Sequence, residues 1–298
     1  MSSISEFSKG LIDAVDRGGS ATVMVDARQR FPASGIAYAT DLILTADHVV
    51  TRDDNLSIVT PAGEEMGATI VGRDPGSDLA LLRASGGGLS PAKIAAAPAK
   101  TGQLVLALGR PSKAGIQASW GVISAIGGPT RTGRGGLLDA YIQSETTPYP
   151  GFSGGPLIDT EGGVIGLNTS GLTRGGALTI PASLAWRTAE ALAKFGSVRR
   201  GYLGVRTQSV ELPESTRLAV PSHQERGLLL MWLEDNGPAA QAGLMIGDII
   251  VGIGGVAVGD PDDLFAALTT ENVGKAVSVE VVRGGKRQSL SATVGERK

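Results

Sequence analysis

Between residues 21 and 180 the chain reads as roughly a dozen short β-rich runs, nearly all ended by Gly, Pro, Asp or Ser, with no helical stretch long enough for a βαβ crossover. The runs fall at residues 21–25, 35–39, 42–45, 56–60, 68–71, 79–83, 104–108, 116–126, 140–144, 156–158, 164–169 and 177–180. Such spacing argues against Rossmann and TIM architectures and predicts paired antiparallel barrels or a sandwich. Gly supplies 44 of the 298 residues with no collagen period, which is what many tight turns require.

Outside this stretch the pattern changes. Ile4, Phe7, Leu11, Ile12 and Val15 share one face at helical spacing, and Gly18-Gly19 ends the pattern, so residues 1–19 are expected to be an amphipathic helix ahead of a β domain at 20–196. Ser183 opens a second helix over 184–195 that Gly196 closes, and residues 197–201 read as a linker. Residues 202–298 mix strands at 228–232, 249–253, 276–282 and 289–294 with a short helix at 238–242 and another opened by Asp260-Pro261, an α+β module.

Composition removes several function classes. With no Cys and only two His, disulfide frameworks and Cys/His zinc sites are excluded, and no metal or cofactor is expected. A net charge of −2 lacks the basic footprint of a nucleic-acid binder. The longest nearly apolar stretch, residues 249–259, is far short of a bilayer span, so no transmembrane segment is expected. Residues 1–10 include Glu6 and Lys9 and no apolar signal core, so the sequence as written reads as cytoplasmic. A chain trimmed of its leader would read the same, which leaves a periplasmic or envelope location as the alternative.

The hexamer from Gly151 to Pro156 carries the most chemistry: small residues around Ser153 let backbone N–H groups converge in front of its hydroxyl, as an oxyanion hole requires. One of the two histidines, His48, ends an apolar run, and Asp78 heads another. Together they supply a base and its orienting carboxyl in the chain order His, Asp, Ser. An α/β-hydrolase elbow needs Ser, acid, His, and the only histidine after Ser153 is His223, in a polar loop of the second domain.

These segments resemble the HtrA/Deg-type serine proteases, a chymotrypsin-like family: ILTADHVV (43–50), DPGSDLALL (74–82), GFSGGPLID (151–159), GVIGLNT (163–169) and ALTIP (177–181) recur in the family's order. RGYLGV (200–205) is similar to the start of the PDZ domain that follows the protease in that family. The resemblance implies a mainly β protein, a chymotrypsin-like double β-barrel followed by an α+β PDZ domain. It implies an ATP-independent serine endopeptidase of bacterial protein quality control that cuts unfolded or tagged proteins through an acyl-enzyme. Ser153 would be the nucleophile, His48 the general base and then acid, and Asp78 the group that orients the imidazole, with the N–H groups of Gly151 and Ser153 forming the oxyanion hole.

The same resemblance places a primary specificity pocket at Thr147 and Pro148, the strand at Asn168, Thr169 and Ser170, and the turn ending at Ala177. With no acidic residue evident there, the expectation is a small or medium apolar residue before the scissile bond. Tyr202, Leu203, Gly204 and Val205 would bind a peptide C-terminus through backbone N–H groups, with Leu264 and Leu268 lining the side-chain pocket. Arg131 and Arg134, in the Gly-rich segment 127–136, would relay peptide binding to the protease, and a homotrimer is the expected assembly, with residues 4–15 either as one contact or as cover for a barrel.

Three features depart from the family. Phe152 stands where the family usually has Asn and cannot form the ion pair by which digestive relatives are activated. Pro148 and Pro150 restrict the loop leading to the oxyanion hole. The segment between Val25 and Gly35 is too short for the inserted loop that some members place over the site. The first two motivate an alternative, a proteolytically quiet PDZ-containing binding or chaperone-like protein.

Overall fold

Short β-branched and Leu-rich runs broken by tight turns close two antiparallel barrels in the computed structural model, which describes residues 3–132, 137–172, 177–198, 200–217, 220, 224–268 and 272–297. The chain divides into two units, Met1–Val198 and Arg199–Lys298. In the first, a helix α1 (Ser3–Gly19) precedes six strands: β1 (Thr22–Asp26), β2 (Ala33–Ala37), β3 (Leu42–Ala46), β4 (Leu56–Val59), β5 (Glu65–Asp74) and β6 (Leu79–Ala84). They form a closed barrel in the order β1-β2-β3-β6-β5-β4.

Strands β7 (Leu104–Gly109) and β8 (Gln117–Gly127) begin the second barrel, and a two-stranded pair, β9 (Thr130–Arg131) and β10 (Leu137–Leu138), follows. Strands β11 (Tyr141–Ser144), β12 (Pro156–Ile158), β13 (Val164–Thr169) and β14 (Leu178–Pro181) close it in the order β11-β14-β13-β12-β7-β8. This is the expected chymotrypsin-like double barrel. Helix α2 (Ala182–Phe195) packs across β5, β6, β13 and β14 through Ala185, Ala189 and Leu192. Gly196 ends it in the left-handed conformation, its N–H donating to the Leu192 carbonyl.

Helix α1 ends at Gly19, the C-terminal bound expected from sequence, with Gly18 and Gly19 inside its last turn. A Cβ on Gly18 would lie 2.9 Å from both Ile158 and Leu108, so glycine lets the helix approach the second barrel closely. Of the predicted apolar face only Leu11 and Val15 pack on the core, whereas Ile4, Phe7 and Ile12 are exposed. Ser197 forms an isolated bridge to Arg73 of β5, so the expected linker begins in contact with the barrel.

The second unit opens with β15 (Arg200–Tyr202), so the last two expected linker residues are strand. Strands β16 (Val205–Glu211), β17 (Arg226–Leu233), β18 (Ile249–Ile253), β19 (Val256–Ala257), β20 (Ala276–Arg283), β21 (Lys286–Thr293) and β22 (Gly295–Arg297) follow, with helices α3 (Glu214–Arg217), α4 (Pro238–Gln241) and α5 (Pro261–Ala267). β16, β17, β18, β20 and β21 form one sheet in that order, β19 pairs with β18, and β15 pairs with β22. Asp260 caps α5 through a reciprocal capping box with Asp263. Leu228, Leu230, Ile250, Ile253, Val279, Val281 and Leu264 form the core of this unit.

Candidate active site

His48 sits in a 3₁₀ turn, Asp47–Val49, at the end of β3. Two buried acids hold that turn. Asp47, 1% exposed, accepts a 2.6 Å bond from Arg73 Nε, and Arg73 Nη2 also donates to the Val50 carbonyl at 2.9 Å. Asp78, fully buried, accepts 2.8 Å bonds from both the His48 backbone N–H and His48 Nδ1. Its third donor is the Thr169 hydroxyl. A carboxyl that accepts all three bonds keeps the proton on Nδ1 and leaves Nε2 as the lone-pair nitrogen.

The Asp78 backbone lies at φ +57°, in the left-handed region that Asp tolerates better than most residues. The preceding turn sets that conformation: the Ser77 hydroxyl donates to the Asp74 carboxyl, Gly76 N–H donates to Asp74 at 3.3 Å, and Asp78 N–H donates to the Pro75 carbonyl at 3.3 Å. Gly171 closes the other side. A Cβ there would lie 2.5 Å from both Asp78 Oδ2 and His48 Nδ1, so only glycine leaves room for the His48–Asp78 bond.

Ser153 comes from the loop before β12. The N–H groups of Phe152, Gly154 and Gly155 donate to the carbonyls of Tyr149, Asn168 and Phe152 respectively. Those of Gly151 and Ser153 have no acceptor among the described residues. Two unengaged donors therefore flank the nucleophile position, an arrangement that suits a developing oxyanion. Gly151 lies at φ +88°, and its carbonyl accepts a 2.7 Å bond from the buried Ser34 hydroxyl, which in turn accepts from Arg110 N–H at 2.8 Å. Phe152 is 1% exposed among Val105, Ala107, Ile123, Ile142, Leu157 and Ile165, with the Tyr149 ring edge-on at 5.4 Å. Its side chain anchors the loop beneath the site.

Ser153 Oγ shares a 3.2 Å hydrogen bond with Ser170 Oγ, and no hydrogen bond joins it to His48 among the described residues. His48, Ser153, Gly151 and Ser170 all line one cleft of about 670 Å³. Pro148, Asn168, Thr169 and Ala177 of the expected pocket line it as well. Thr147 does not: its carbonyl accepts from the Ser119 hydroxyl at 2.9 Å and from Tyr149 N–H at 3.1 Å, and the neighbouring Thr146 and Ser144 line the cleft instead. Thr169 has a second task, its hydroxyl being bound to Asp78. Sequence reasoning missed Ser34, Asp47, Arg73 and Gly171, of which only Asp47 carried a signal, its position beside His48.

The expected peptide-binding residues lie in the second unit. Leu203, Leu264 and Leu268 share its hydrophobic core, with Val205 packed against it. Gly204 lies at φ +75°, and the N–H groups of Leu203 and Gly204 have no acceptor among the described residues. Tyr202 ends β15. Of the expected relay residues, Arg131 has its backbone in β9, paired with Leu137, and Arg134 lies outside the described residues. So does His223.

Known proteins show the same organisation. The trypsin-like peptidase domain family matches residues 33–167, and the PDZ domain family matches residues 201–294. Probable periplasmic DegP-like serine endoproteases of Pseudomonas putida and Brucella suis are 35% identical over 271 residues and 33% identical over 270, covering 88% of this chain. The chain spans about half the length of these relatives, 55% and 52%. Among solved structures, the HtrA-type protease AlgW with decapeptide is 26% identical over 97% of this chain and 99% of its own, with a TM-score of 0.80. A serine endoprotease from Yersinia pestis is 27% identical over 97% and 98%, with a TM-score of 0.78.

Proposed function

We propose, from the premise that the chain belongs to the HtrA-type family of serine proteases carrying a PDZ domain, that it is an endopeptidase of unfolded or tagged proteins working through Ser153. One observation carries the reading: a His48–Asp78 pair and two unengaged N–H donors, those of Gly151 and Ser153, meet around one serine in one cleft. In the reaction, the Ser153 hydroxyl leaves Ser170 and turns to His48. Oγ attacks the peptide carbonyl while Nε2 takes its proton, and the N–H groups of Gly151 and Ser153 stabilise the oxyanion. Nε2 then returns the proton to the leaving amine, and water hydrolyses the acyl-enzyme by the same path in reverse. Asp78 stabilises the imidazolium that forms twice in the cycle.

The second unit is proposed to bind peptide C-termini at Tyr202, Leu203, Gly204 and Val205, with Leu264 and Leu268 beneath the side-chain pocket, and to regulate the protease. Arg131 and Arg134 are the proposed relay. The segment that holds Arg131 reaches the catalytic turn, since the Thr132 hydroxyl donates to the Gly76 carbonyl at 2.9 Å, two residues before Asp78. A homotrimer and a periplasmic location are proposed with it. The relatives' names support that compartment over the cytoplasmic expectation. Among the described residues no helix is long and apolar enough to cross a membrane.

A second reading, a latent binding protein, is favoured by the Ser153–Ser170 hydrogen bond, which gives the nucleophile a partner other than its base. Cleavage of casein by wild type and Ser153→Ala, with and without C-terminal peptides, separates the two. Loss of cleavage in the variant alone supports the protease. Equal inertness of both proteins, with peptides and towards a fluorophosphonate probe, establishes the binding protein instead.

A further inference from the structure

The loop between β1 and β2 lines the cleft with two cations that the proposed catalytic cycle does not use, Arg28 and Arg30. Its base is fixed beside the catalytic turn: the Ala27 carbonyl accepts from Thr51 N–H at 2.9 Å and from Arg52 N–H at 3.1 Å. Arg28, half-buried, shapes the rest, its Nε donating to the Phe31 carbonyl and its Nη2 to the Pro32 carbonyl at 3.3 Å. Arg30 is exposed, and neither arginine is paired with a carboxylate among the described residues. No Asp or Glu is among the described residues that line the cleft. The Ser153–Gly154 peptide tells on which side of the nucleophile the loop lies. Its carbonyl accepts from Ser34 N–H, in β2, at 3.2 Å, and its N–H donates to the Asn168 carbonyl, in β13, at 2.8 Å. The C=O and N–H of a trans peptide point in opposite directions, so β2 and β13 flank Ser153 from opposite sides. The expected pocket for the residue preceding the scissile bond lies on the β13 side, which puts the 27–32 loop on the side where the leaving amine departs.

We infer that Arg30, backed by the charge of Arg28, is a specificity residue that binds acidic side chains of the substrate just after the scissile bond, favouring Asp and Glu there over their amides. The inference rests on the protease reading above and goes beyond it in naming a feature of the substrate. A cleft lined by charge of one sign focuses its field on whatever enters. Here that charge is positive although the whole chain carries −2, so it belongs to the site and not to the composition. Partial burial holds the Arg28 pKa below its ordinary value, and no carboxylate among the described lining residues offsets that cost. A substrate carboxylate supplies the missing counter-charge, and a guanidinium meets it with paired N–H donors. A Lys or Arg at the same place would face like charge instead.

Two quenched-fluorescence peptides that differ only in Glu or Gln at the second and third positions after the scissile bond test the inference, with mass spectrometry locating the cut. At low ionic strength wild type is expected to favour Glu by about three- to tenfold in kcat/KM, the scale of two exposed ion pairs, and the ratio should shrink as salt rises. Arg30→Gln should bring the ratio near one and Arg30→Glu should invert it. The same exchange placed before the scissile bond should change little in any of the three proteins. Should a variant fail to fold, the wild-type ratios on the two sides of the bond decide by themselves. A wild type that cuts casein in a Ser153-dependent way but treats the two peptides alike, or a preference that persists in Arg30→Gln, overturns the inference and leaves the protease intact. An equal preference on both sides of the bond also overturns it, because a general attraction for acidic chains would then be at work. Where casein is cut and the peptides are not, the sites in casein decide: acidic residues just after the cut must be enriched over those of Arg30→Gln, and equal frequencies overturn the inference. If neither peptide nor casein is cut, the protease reading falls and the inference with it.

Discussion

Ser34, on β2 of the first barrel, donates a 2.7 Å hydrogen bond from its buried hydroxyl to the carbonyl of Gly151, in the loop that leads into β12 of the second. The same hydroxyl accepts from Arg110 N–H, while the Arg110 guanidinium donates to the Thr22 carbonyl at 2.8 Å. The Gly151–Phe152 peptide, the link between the two proposed oxyanion donors, is therefore held from across the interface between barrels. Ser34→Ala leaves a buried carbonyl and a buried N–H short of a partner, which typically costs about 1–3 kcal/mol per group. We expect a fold that survives and a kcat lower by about 10- to 100-fold with KM little changed, since losing an oxyanion donor outright costs about 100- to 1,000-fold. Steady-state kinetics on a peptide substrate, with circular dichroism to verify folding, checks this. An unchanged kcat would remove Ser34 from the site.

Gly171→Ala tests the His48–Asp78 bond directly. The added methyl would sit 2.5 Å from both bonded atoms, and neither has slack: Asp78 is fully buried and tied to Thr169, and the His48 backbone is tied to Asp78. The imidazole must turn out or the carboxyl must shift, and the correct tautomer is lost in either case. We expect kcat to fall by about 1,000- to 10,000-fold, the range seen when the orienting acid fails. Labelling of Ser153 by a fluorophosphonate should slow in parallel while the melting temperature changes little.

The fold and the proposed triad were legible for a simple reason. Strand period, turn residues and the order His48, Asp78, Ser153 are local or sequential properties of the chain. What surrounds the triad is neither. Ser34 and Gly151 lie 117 positions apart, and Thr169 lies 91 positions from the Asp78 carboxyl it binds. No period or motif links such pairs until both barrels close. Thr147 was misread for a related reason: which of two adjacent threonines faces the cleft depends on how the 146–150 loop turns, and the prolines at 148 and 150 settle that through backbone geometry rather than side-chain pattern. Gly18 and Gly19 marked the end of α1 in the sequence, but the close approach of Gly18 to Ile158 and Leu108 is a tertiary property that no local signal carries.

Phe152 was read from sequence as a departure that argues for latency, and its surroundings assign it a structural role. The ring fills a pocket among Val105, Ala107, Ile123, Ile142, Leu157 and Ile165 directly under the proposed oxyanion loop. Phe152→Ala should lower stability by about 3–5 kcal/mol. Phe152→Asn, which installs the residue common in the family, should do no better, because it adds a buried amide with no partner in an apolar pocket. Thermal denaturation of both variants checks the expectation. A Phe152→Asn protein as stable as wild type and more active would show instead that the phenyl ring holds the loop in an unproductive shape.

In the second unit the acid sensitivity of folding should trace to Asp248. This carboxyl is 1% exposed and receives two 2.7 Å bonds from the Arg283 guanidinium and a 2.8 Å bond from Met245 N–H. Burial pushes its pKa up, but the bonds from Arg283 and Met245 prevail and hold it below the ordinary carboxylate value. A group whose pKa is lower folded than unfolded adds stability that is complete above the unfolded value, about 4, and is lost as pH falls through the folded one. Asp248→Asn should therefore lower the melting temperature by several degrees at pH 7, where wild type has the full ion pair. The gap should begin to close as pH drops below about 4, where the unfolded chain takes up the proton, and should vanish once pH has fallen through the lower folded-state value, where Asp248 itself is protonated and Arg283 is left without its anion. Trp232, the one tryptophan of this unit, reports the transition in a Trp120→Phe/Trp186→Phe background. A gap that stayed constant from pH 7 to pH 3 would mean that the variant acts through packing and not through the charge of Asp248.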